Sequence, residues 1–340
     1  MFILKNSIPS LFVLAIIFAT GCGKKTTEIA PLMGDYITRS YSDGPARSNA
    51  VGFTINGKGY IATGVSGKDK LKDLWQFDPE QNTWTQKQNF PGEGRYEAAG
   101  FSIENKGYVG IGRNDIKYFN DFYQYNADTD KWDSIAAFPV PGRSSTVAFS
   151  LKNEGYVGTG YDGNEYYKNF YKFTPTSGGG KGSWSANPIT SLTRDKRTDA
   201  VAFTIGEKAY VGLGTNSGKY VNEFLEYDPT TNLWTEIAFP YIKDGSDARD
   251  FQRYGAVAFT VNGKGYVTTG FYNNLENSTW EYNPENNSWT KKSSFEASSR
   301  TDAVGLSINN RGFVVGGKNG NIKLYDCYEF LPDNSLVGGN

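Results

Sequence analysis

The feature that most constrains this chain is a three-residue pattern that occurs six times along it. An arginine is followed thirteen residues later by an aromatic residue, and four residues after that by a glycine. The six sets are Arg47/Tyr60/Gly64, Arg95/Tyr108/Gly112, Arg143/Tyr156/Gly160, Arg197/Tyr210/Gly214, Arg253/Tyr266/Gly270 and Arg300/Phe313/Gly317. Successive arginines lie 48, 48, 54, 56 and 47 residues apart. A period of about fifty residues indicates a repeat architecture, so chemistry is expected at positions where the units differ.

Each unit has the pattern of four short β-strands. In the first unit, apolar and small residues alternate from Val51 to Ile55, and Asn56-Gly57 then supplies a tight turn. Two further apolar runs follow, Tyr60 to Gly64 and Leu74 to Phe77, and a fourth strand holds Trp84. A sheet of four short strands cannot bury its own faces, so six of them must stack. The sequence therefore predicts an all-β fold, a six-bladed β-propeller with negligible helix.

The units resemble Kelch repeats. The ends of the second strands, such as Tyr156 to Gly160 and Phe313 to Gly317, are similar to the Kelch Gly-Gly element. The segment from Tyr227 to Trp234 is similar to the Kelch connection between the third and fourth strands. Only the sixth unit has the full doublet, Gly316-Gly317. The resemblance covers about Tyr36 to Pro332 and implies a Kelch-type propeller.

The sixth unit lacks a tryptophan strand, and the N-terminal region has the spacing to supply one. Tyr36 precedes Arg47 by eleven residues, the same interval as from Trp84 to Arg95. We therefore expect Asp35 to Tyr41 to pair into the last blade and close the ring with an N-terminal strand. The propeller is predicted over residues 35–332, with a C-terminal tail at residues 333–340. The alternative is that Asp35 to Tyr41 is only a linker.

A targeting segment precedes the propeller. Residues 11–18 are an apolar run too short for a comfortable membrane span, so residues 1–21 are predicted to be a signal peptide. Small residues directly before Cys22 resemble a bacterial lipobox, in which the cysteine receives lipid and becomes the mature N-terminus. The resemblance implies lipidation of Cys22, a tether at residues 22–34 and anchoring in the Gram-negative cell envelope. We expect the outer membrane, with the propeller facing the periplasm or the surface. The alternative is an ordinary secretory signal.

The composition argues against a highly charged partner. The chain has 35 basic and 36 acidic residues, so nucleic acid is not an expected partner and membrane contact is expected through the lipid anchor alone. With Cys22 lipidated, Cys327 has no disulfide partner. Cys327 aligns with apolar strand positions in the other units and is predicted to be a small core residue. A monomer is expected.

The chain contains no histidine. Serine and cysteine nucleophiles usually need an imidazole base, and zinc and copper sites usually need imidazole ligands. Galactose oxidase shares the Kelch propeller, but its copper centre depends on histidines, so this chain cannot reproduce that chemistry. We expect no metal site and no cofactor.

Positions around the central opening differ from blade to blade. By resemblance to Kelch blades, the residue after each repeat glycine should lie near the opening of the central channel, the mouth. This residue differs in every unit: Val65, Arg113, Tyr161, Thr215, Phe271 and Lys318. In animal Kelch adaptor domains, arginines at the start of each blade line the same opening, which implies a similar place for the six repeat arginines. The favoured alternative is a structural role, with each arginine bonded to an acid such as the one two residues on (Glu97, Asp199, Asp302).

Loop lengths also break the symmetry. From Trp234 to Arg253 the chain takes nineteen residues where most units take eleven, and the surplus falls near residues 241–250. Tyrosines among acids suit a carbohydrate or a protein partner, although long polar loops also tolerate insertions without a function. The predicted ligand-binding residues are Arg113, Tyr161, Asp162, Tyr166, Lys243, Asp247, Arg249, Phe271 and Lys318.

Two functions fit this pattern. The favoured one is a membrane-anchored, non-catalytic propeller that binds a glycan or a protein at its mouth. The alternative is a carbohydrate-active enzyme similar to N-acetylneuraminate epimerase, a mutarotase whose chemistry carboxylates, lysine, arginine or tyrosine can support without histidine. Acids that converge in the mouth with raised pKa values would favour the enzyme, whereas an aromatic, arginine-lined rim would favour binding. The sequence assigns no catalytic residue.

Overall fold

Every regular element of the described structure is a β-strand. The computed structural model describes residues 33–176, 178, 180–240 and 251–335, and no α-helix occurs within these ranges. Accordingly, they contain no helix that is long and apolar enough to cross a membrane. The expected signal peptide, Cys22, most of the tether and the end of the tail lie outside the described residues.

The strands form six successive antiparallel sheets, which confirms the predicted six-bladed propeller. The first strand is β1 (Met33–Arg39). Blade 1 contains β2 (Val51–Ile55), β3 (Lys58–Ala62), the short hairpin β4 (Val65–Ser66) and β5 (Asp69–Lys70), β6 (Leu74–Asp78) and β7 (Thr83–Lys87). Blade 2 contains β8 (Ala99–Ile103), β9 (Lys106–Gly110), β10 (Phe122–Asn126) and β11 (Lys131–Ser134). Blade 3 contains β12 (Val147–Leu151), β13 (Glu154–Gly158), β14 (Asn169–Thr174), β15 (Ser183–Trp184) and β16 (Thr190–Ser191).

The remaining blades follow the same order. Blade 4 contains β17 (Val201–Ile205), β18 (Lys208–Gly212), β19 (Thr215–Asn216), β20 (Lys219–Tyr220), β21 (Phe224–Asp228) and β22 (Leu233–Glu236). Blade 5 contains β23 (Val257–Val261), β24 (Lys264–Thr268), β25 (Phe271–Tyr272), β26 (Asn274–Leu275), β27 (Thr279–Asn283) and β28 (Ser288–Lys292). Blade 6 contains β29 (Val304–Ile308), β30 (Arg311–Asn319) and β31 (Ile322–Ser335). The first strand of each blade lines the central channel.

The N-terminal strand closes the ring as expected. β1 pairs antiparallel with β31, and Tyr36 lies directly opposite Phe330. The Tyr36 ring packs against Phe330 and Phe295, with centroids 4.8 and 4.9 Å away. Its hydroxyl is 2.9 Å from the Thr279 hydroxyl of blade 5. The sixth blade therefore takes its outermost strand from the other end of the chain, so that one sheet joins the beginning and the end of the propeller.

In blades 1, 2, 3 and 5, a tryptophan of the outer strand ties the blade to the preceding one. The indole N–H donates to a backbone carbonyl that lies just after the outermost strand of the preceding blade, at 2.8–2.9 Å. The four donor and acceptor pairs are Trp84/Ser40, Trp132/Gln88, Trp184/Ala136 and Trp289/Ala238. The first of these joins blade 1 to the end of β1, so it also secures the closing strand.

Glycines of the second strands allow neighbouring blades to approach closely. Phe53 of blade 1 lies over Gly107 of blade 2, where a Cβ atom would come within 2.3 Å of the ring. The same relationship holds for the pairs Phe101/Gly155, Phe203/Gly265 and Phe259/Gly312. The core consequently lies between the blades. Cys327 is fully buried in this core, between blades 6 and 1, as its alignment with apolar positions predicted.

Candidate functional site

One end of the central channel is surrounded by a ring of six residues, one from each blade. Each lies two positions after a repeat arginine, and we call the set the mouth ring: Asn49, Glu97, Ser145, Asp199, Gly255 and Asp302. All six have a left-handed backbone, with φ between 52° and 59°. Only glycine adopts this region freely, and asparagine and aspartate do so more readily than most other residues. The side chains surround a cavity of about 140 Å³.

The mouth ring is held by a closed circle of backbone hydrogen bonds. Each N–H donates to the carbonyl of the mouth-ring residue in the preceding blade, with distances between 2.9 and 3.3 Å. The circle runs from Asn49 through Glu97, Ser145, Asp199, Gly255 and Asp302 and back to Asn49. Because every blade contributes one bond, the ring cannot widen at one point without breaking a bond. The circle therefore fixes the backbone positions from which the three acidic side chains of the ring extend.

These three carboxylates have different partners. Glu97 accepts hydrogen bonds from Arg113, at 2.8 Å from Nε and 3.2 Å from Nη2. Asp302 pairs with Lys318, with 2.8 Å between Oδ2 and Nζ. Asp199 has no ion pair with any cation of the described residues; its side chain instead bonds to Ser145 and Thr198. The acids are thus chemically distinct although they share one ring.

The pKa of Asp199 is raised to about 7. Burial is the largest cause, and the negative charges of Glu97 and, more weakly, Asp302 add to it. The hydrogen bonds with Ser145 and Thr198 oppose this increase in pKa without cancelling it. A carboxyl group with a pKa near neutrality can donate and accept a proton at physiological pH. The mouth therefore contains an acid with a raised pKa, the kind of group that would favour an enzyme over a binder.

Outside the mouth ring lies a wider depression, the mouth cavity, with a volume of about 350 Å³. It is lined by mouth-ring residues and by charged and aromatic side chains of blades 1, 2, 5 and 6. The lining residues are Asn49, Val65, Lys70, Tyr96, Glu97, Arg113, Asp115, Asp199, Tyr254, Asp302, Lys318 and Lys323. Acids and cations thus face the same space. No set of three or more acidic or cysteine side chains in the described ranges is arranged to hold a metal ion.

Comparisons with known families assign the fold to a family. Residues 37–160 match the family model described as "KLHDC2/KLHL20/DRC7 Kelch-repeats domain", and residues 252–296 match the one described as "Kelch motif". The matched stretches cover the first two blades, the first two strands of the third and the whole of the fifth, and the six sheets share one repeat. The chain is a Kelch-type β-propeller.

Parts of this Kelch propeller are similar to N-acetylneuraminate epimerases. It is 40% identical to that of Pasteurella multocida (strain Pm70) over 126 residues, which is 34% of this chain and 30% of the relative. It is 33% identical to those of Haemophilus influenzae strains PittEE and 86-028NP over 141 residues, 39% of this chain and 34% of each relative. The matched stretch thus spans about a third of the length of these curated relatives.

The Kelch propeller also resembles a solved structure over most of its length. The structure titled "Structure of YjhT" superposes with a TM-score of 0.71 and 19% sequence identity, covering 85% of this chain and 95% of the other. At this identity the likeness concerns the fold.

The residues that follow the repeat glycines lie beside the mouth ring. Each pairs with the residue just before a mouth-ring position, through bridges such as Arg113 with Tyr96 and Lys318 with Thr301. Among the predicted ligand-binding residues, Arg113 and Lys318 line the mouth cavity, and Val65 lines it as well. Phe271 does not line it. Phe271 packs on Tyr254, whose ring forms part of the cavity wall, with centroids 5.5 Å apart.

The third-blade loop is organised around its own tyrosines. Tyr161 and Tyr166 pack together with ring centroids 4.6 Å apart, and the Tyr161 hydroxyl donates to the carbonyl of Gly163 at 2.6 Å. Asp162 accepts hydrogen bonds from the Tyr167 hydroxyl, at 2.6 Å, and from two backbone N–H groups of its own turn. These bonds lower the pKa of Asp162 although burial alone would raise it. The predicted residues Tyr161, Asp162 and Tyr166 therefore support this loop and are not among those lining the mouth cavity.

Three further predicted ligand-binding residues, Lys243, Asp247 and Arg249, lie outside the described residues, as does the rest of 241–250. The predicted contribution of this insertion to ligand binding therefore stays a prediction.

The repeat arginines are buried within the blades and do not line the mouth cavity. Arg95, for example, donates to both carboxylate oxygens of Asp121, at 2.6 and 2.9 Å, and to the carbonyl of Ile111 at 3.0 Å. The acidic partners lie 26 residues after the arginine, in the pairs Arg47/Asp73, Arg95/Asp121, Arg197/Glu223 and Arg300/Asp326. The structural role favoured from the sequence is correct, but the suggested partners two residues on were wrong. The left-handed backbone at Glu97, Asp199 and Asp302 turns these acids toward the channel.

Sequence reasoning missed the mouth ring itself. The position two residues after the repeat arginine is occupied by Asn, Glu, Ser, Asp, Gly and Asp in the six units. It is polar or glycine throughout and differs between blades, which is the signal used for the neighbouring position after the repeat glycine. The signal was missed because Glu97, Asp199 and Asp302 were interpreted as partners of the repeat arginines.

Proposed function

We propose that this Kelch propeller is a carbohydrate-active enzyme of the N-acetylneuraminate epimerase (mutarotase) type, which interconverts the anomers of a cyclic sugar in its mouth. The observation that supports it most strongly is Asp199, a carboxyl group with a pKa of about 7 in the mouth ring that also contains Glu97 and Asp302. This proposal places the enzyme ahead of non-catalytic binding, reversing the order that the sequence favoured. The reason is that acids converge in the mouth, whereas the repeat arginines do not line it.

The reaction needs one proton donor and one proton acceptor. A base removes the proton from the anomeric hydroxyl while an acid protonates the ring oxygen. The bond between the anomeric carbon and the ring oxygen breaks, which leaves an open-chain carbonyl. Rotation about the adjacent bond and the reverse proton transfers close the ring on the other face. Protons and electrons balance without a cofactor or any net change in the two side chains.

The environments of the mouth carboxylates suggest how the two roles are divided. Asp199 retains a proton near neutral pH and is the donor to the ring oxygen. Glu97 is the acceptor, because it lines the same cavity as Asp199 and its ion pair with Arg113 holds its carboxylate in place. Glu97 also acts more strongly than Asp302 on the pKa of Asp199. Two acids with different environments are a common arrangement for acid–base catalysis.

The size of the cavity and the identity of the relatives agree with this proposal. A cavity of about 350 Å³ lies at the lower end of the range typical of small-molecule sites, and so suits one sugar ring better than a protein chain. The curated relatives are named N-acetylneuraminate epimerases. Their similarity covers only part of this chain, so the proposal depends mainly on the acids of the mouth.

The second candidate is non-catalytic binding of a glycan or a protein partner at the mouth. Aromatic rings on the rim favour it. Tyr220 packs against Tyr272 with centroids 4.5 Å apart, and Tyr118 lies 6.2 Å from Tyr161. Half-exposed tyrosines are typical of sugar and protein interfaces. In either case we propose that Cys22 carries lipid and holds the propeller at the Gram-negative envelope as a monomer.

Following anomer exchange of N-acetylneuraminate by NMR, with residues 23–340 as the protein, separates the two candidates. The enzyme predicts exchange faster than the spontaneous rate, and Glu97→Gln should slow it by about 10²- to 10⁴-fold. The matched control Glu285→Gln, an exposed acid on an outer turn, should leave the rate unchanged. Binding without faster exchange would support the second candidate and contradict the enzyme.

A further inference from the structure

Two lysines lie directly opposite each other at the mouth. In the hairpin formed by β30 and β31, Lys318 is the cross-strand partner of Lys323. Like charges at directly opposed positions of an antiparallel pair destabilise the sheet. The stability of the hairpin therefore does not explain why two lysines face each other here.

The other five blades avoid such a pair at the equivalent place. Their cross-strand pairs each contain at most one cation: Val65/Lys70, Arg113/Tyr118, Tyr161/Tyr166, Thr215/Tyr220 and Phe271/Leu275. The double positive charge is thus specific to blade 6. A blade-specific departure that costs stability indicates a function at that place.

Only one of the two lysines has a carboxylate partner. Lys318 pairs with Asp302 at 2.8 Å, whereas Lys323 makes no ion pair with any acid of the described ranges. Burial, and then the charge of Lys318, lower the pKa of Lys323. Because its charged form is disfavoured where it stands, Lys323 would gain from an anion placed beside it.

Both lysines line the mouth cavity, together with Asp199 and Glu97. An anionic group held between the lysines would therefore occupy the same cavity as the proton-transferring acids. This arrangement can hold a small molecule by its anionic end and present the rest of it to the acids.

We propose that Lys318 and Lys323 form the anion subsite of the mouth, which holds the carboxylate of a sugar acid and selects such sugars over neutral ones. The role of the subsite in catalysis rests on the proposed function, but anion binding by the two lysines can be measured independently of it. A singly charged carboxylate fits better than phosphate, because the ion-paired acids Glu97 and Asp302 face the same cavity and repel a dianion more strongly.

Calorimetric binding of three small probes to residues 23–340 tests the subsite: N-acetylneuraminate, its uncharged methyl ester and inorganic phosphate. We expect the wild type to bind the acid at least about tenfold more tightly than the ester, as one added ion pair in a partly buried site provides. Lys323→Met should remove most of this preference, and Lys323→Arg should retain it. Lys131→Met, at an exposed lysine of an outer strand, is the matched control and should behave as the wild type.

A second measurement, the melting temperature, shows whether the variant is folded. Without ligand, Lys323→Met should raise the melting temperature by about 1–2 °C, because it removes the like-charge pair. Equal affinity of the wild type for acid and ester, or an unchanged preference in Lys323→Met, would overturn the inference. Phosphate binding tighter than that of the sugar acid would also overturn it. A charge preference without faster anomer exchange would instead sustain the subsite and contradict the enzyme.

Discussion

Arg113 donates two hydrogen bonds to Glu97, at 2.8 Å from Nε to Oε2 and at 3.2 Å from Nη2 to Oε1. The pair keeps the guanidinium charged, since the bond to Glu97 raises the pKa of Arg113. The charge of Glu97 in turn contributes to the raised pKa of Asp199 across the mouth. One ion pair on blade 2 thereby influences protonation on blade 4, and the closed mouth ring fixes the backbone from which both acids extend.

The raised pKa of Asp199 predicts how stability depends on pH. Burial and the charge of Glu97 raise this pKa from 3.8 to about 7 in the folded protein. The folded state then holds the proton more tightly than the unfolded state, so this stabilisation is full below pH 3.8 and is lost as the pH rises to about 7. A shift of about three units corresponds to at most about 4 kcal/mol, and water in the channel reduces it.

Urea denaturation of the wild type and of Asp199→Asn at pH 4, 5.5, 7 and 8 measures this contribution. Relative to the variant, the wild type should be less stable at pH 8 than at pH 4. Parallel curves for the two proteins would show that Asp199 titrates at an ordinary pKa in the folded state.

The closing strand should contribute strongly to stability. Tyr36→Ala removes a buried ring packed on Phe330 and Phe295 and should lower the free energy of unfolding by about 3–5 kcal/mol. Tyr36→Phe removes only the hydrogen bond with Thr279 and should cost about 1 kcal/mol.

Deletion of residues 23–42 should lower the melting temperature by several degrees. An unchanged melting temperature after the deletion would contradict closure by β1.

The repeat arginines should differ according to their partners. Arg300→Met strands the carboxylate of Asp326, which is only 17% exposed, and should cost about 3–5 kcal/mol. Arg143 donates to the neutral amide of Asn169 at 2.8 Å, so Arg143→Met strands no charge and should cost at least about 1 kcal/mol less. Chemical denaturation measures both. Equal costs would mean that the arginines act through packing alone.

Lipidation at Cys22 is open to a direct test. Cys22→Ala should release the protein from membranes and abolish fatty-acid labelling, while the circular dichroism of the propeller stays unchanged. This follows because lipid chains at one residue are expected to provide the whole membrane affinity. Membrane fractionation of labelled cells measures it, and a variant that stays with the membrane would argue against the lipobox.

The spacing of repeated residues was enough to predict the blades, their number and the closing strand. Arg47 to Arg300 set the period, and the phase of Tyr36 identified the missing outer strand before its pairing with Phe330 was seen. Such features are predictable because each serves packing and therefore recurs. Cys327 was placed in the core for the same reason.

The acids of the mouth could not be placed in the same way. Glu97 and Asp199 follow repeat arginines by two residues, and an ordinary extended backbone would leave them plausible partners of those arginines. Their left-handed φ values, 54° and 53°, reverse that direction. Four of the six mouth-ring positions are Asn, Asp or Gly, which favour this conformation, but Glu97 and Ser145 break the pattern. Tyr161 and Asp162 were predicted to bind ligand because tyrosines and acids suit that role, yet their contacts are within their own loop.

The most direct test of the central claim is the pH dependence of anomer exchange in the wild type and in Asp199→Asn, followed by NMR with N-acetylneuraminate. With Asp199 as the proton donor, the enzymatic rate should fall as the pH rises through about 7. Asp199→Asn should lose about 10²- to 10⁴-fold of the rate below pH 7, and the difference from the wild type should shrink at higher pH. Asp133→Asn, at an exposed acid in the outer strand of blade 2, is the control and should keep the wild-type profile. Asp199→Asn with wild-type rate and profile would contradict the assignment of Asp199 as the catalytic acid.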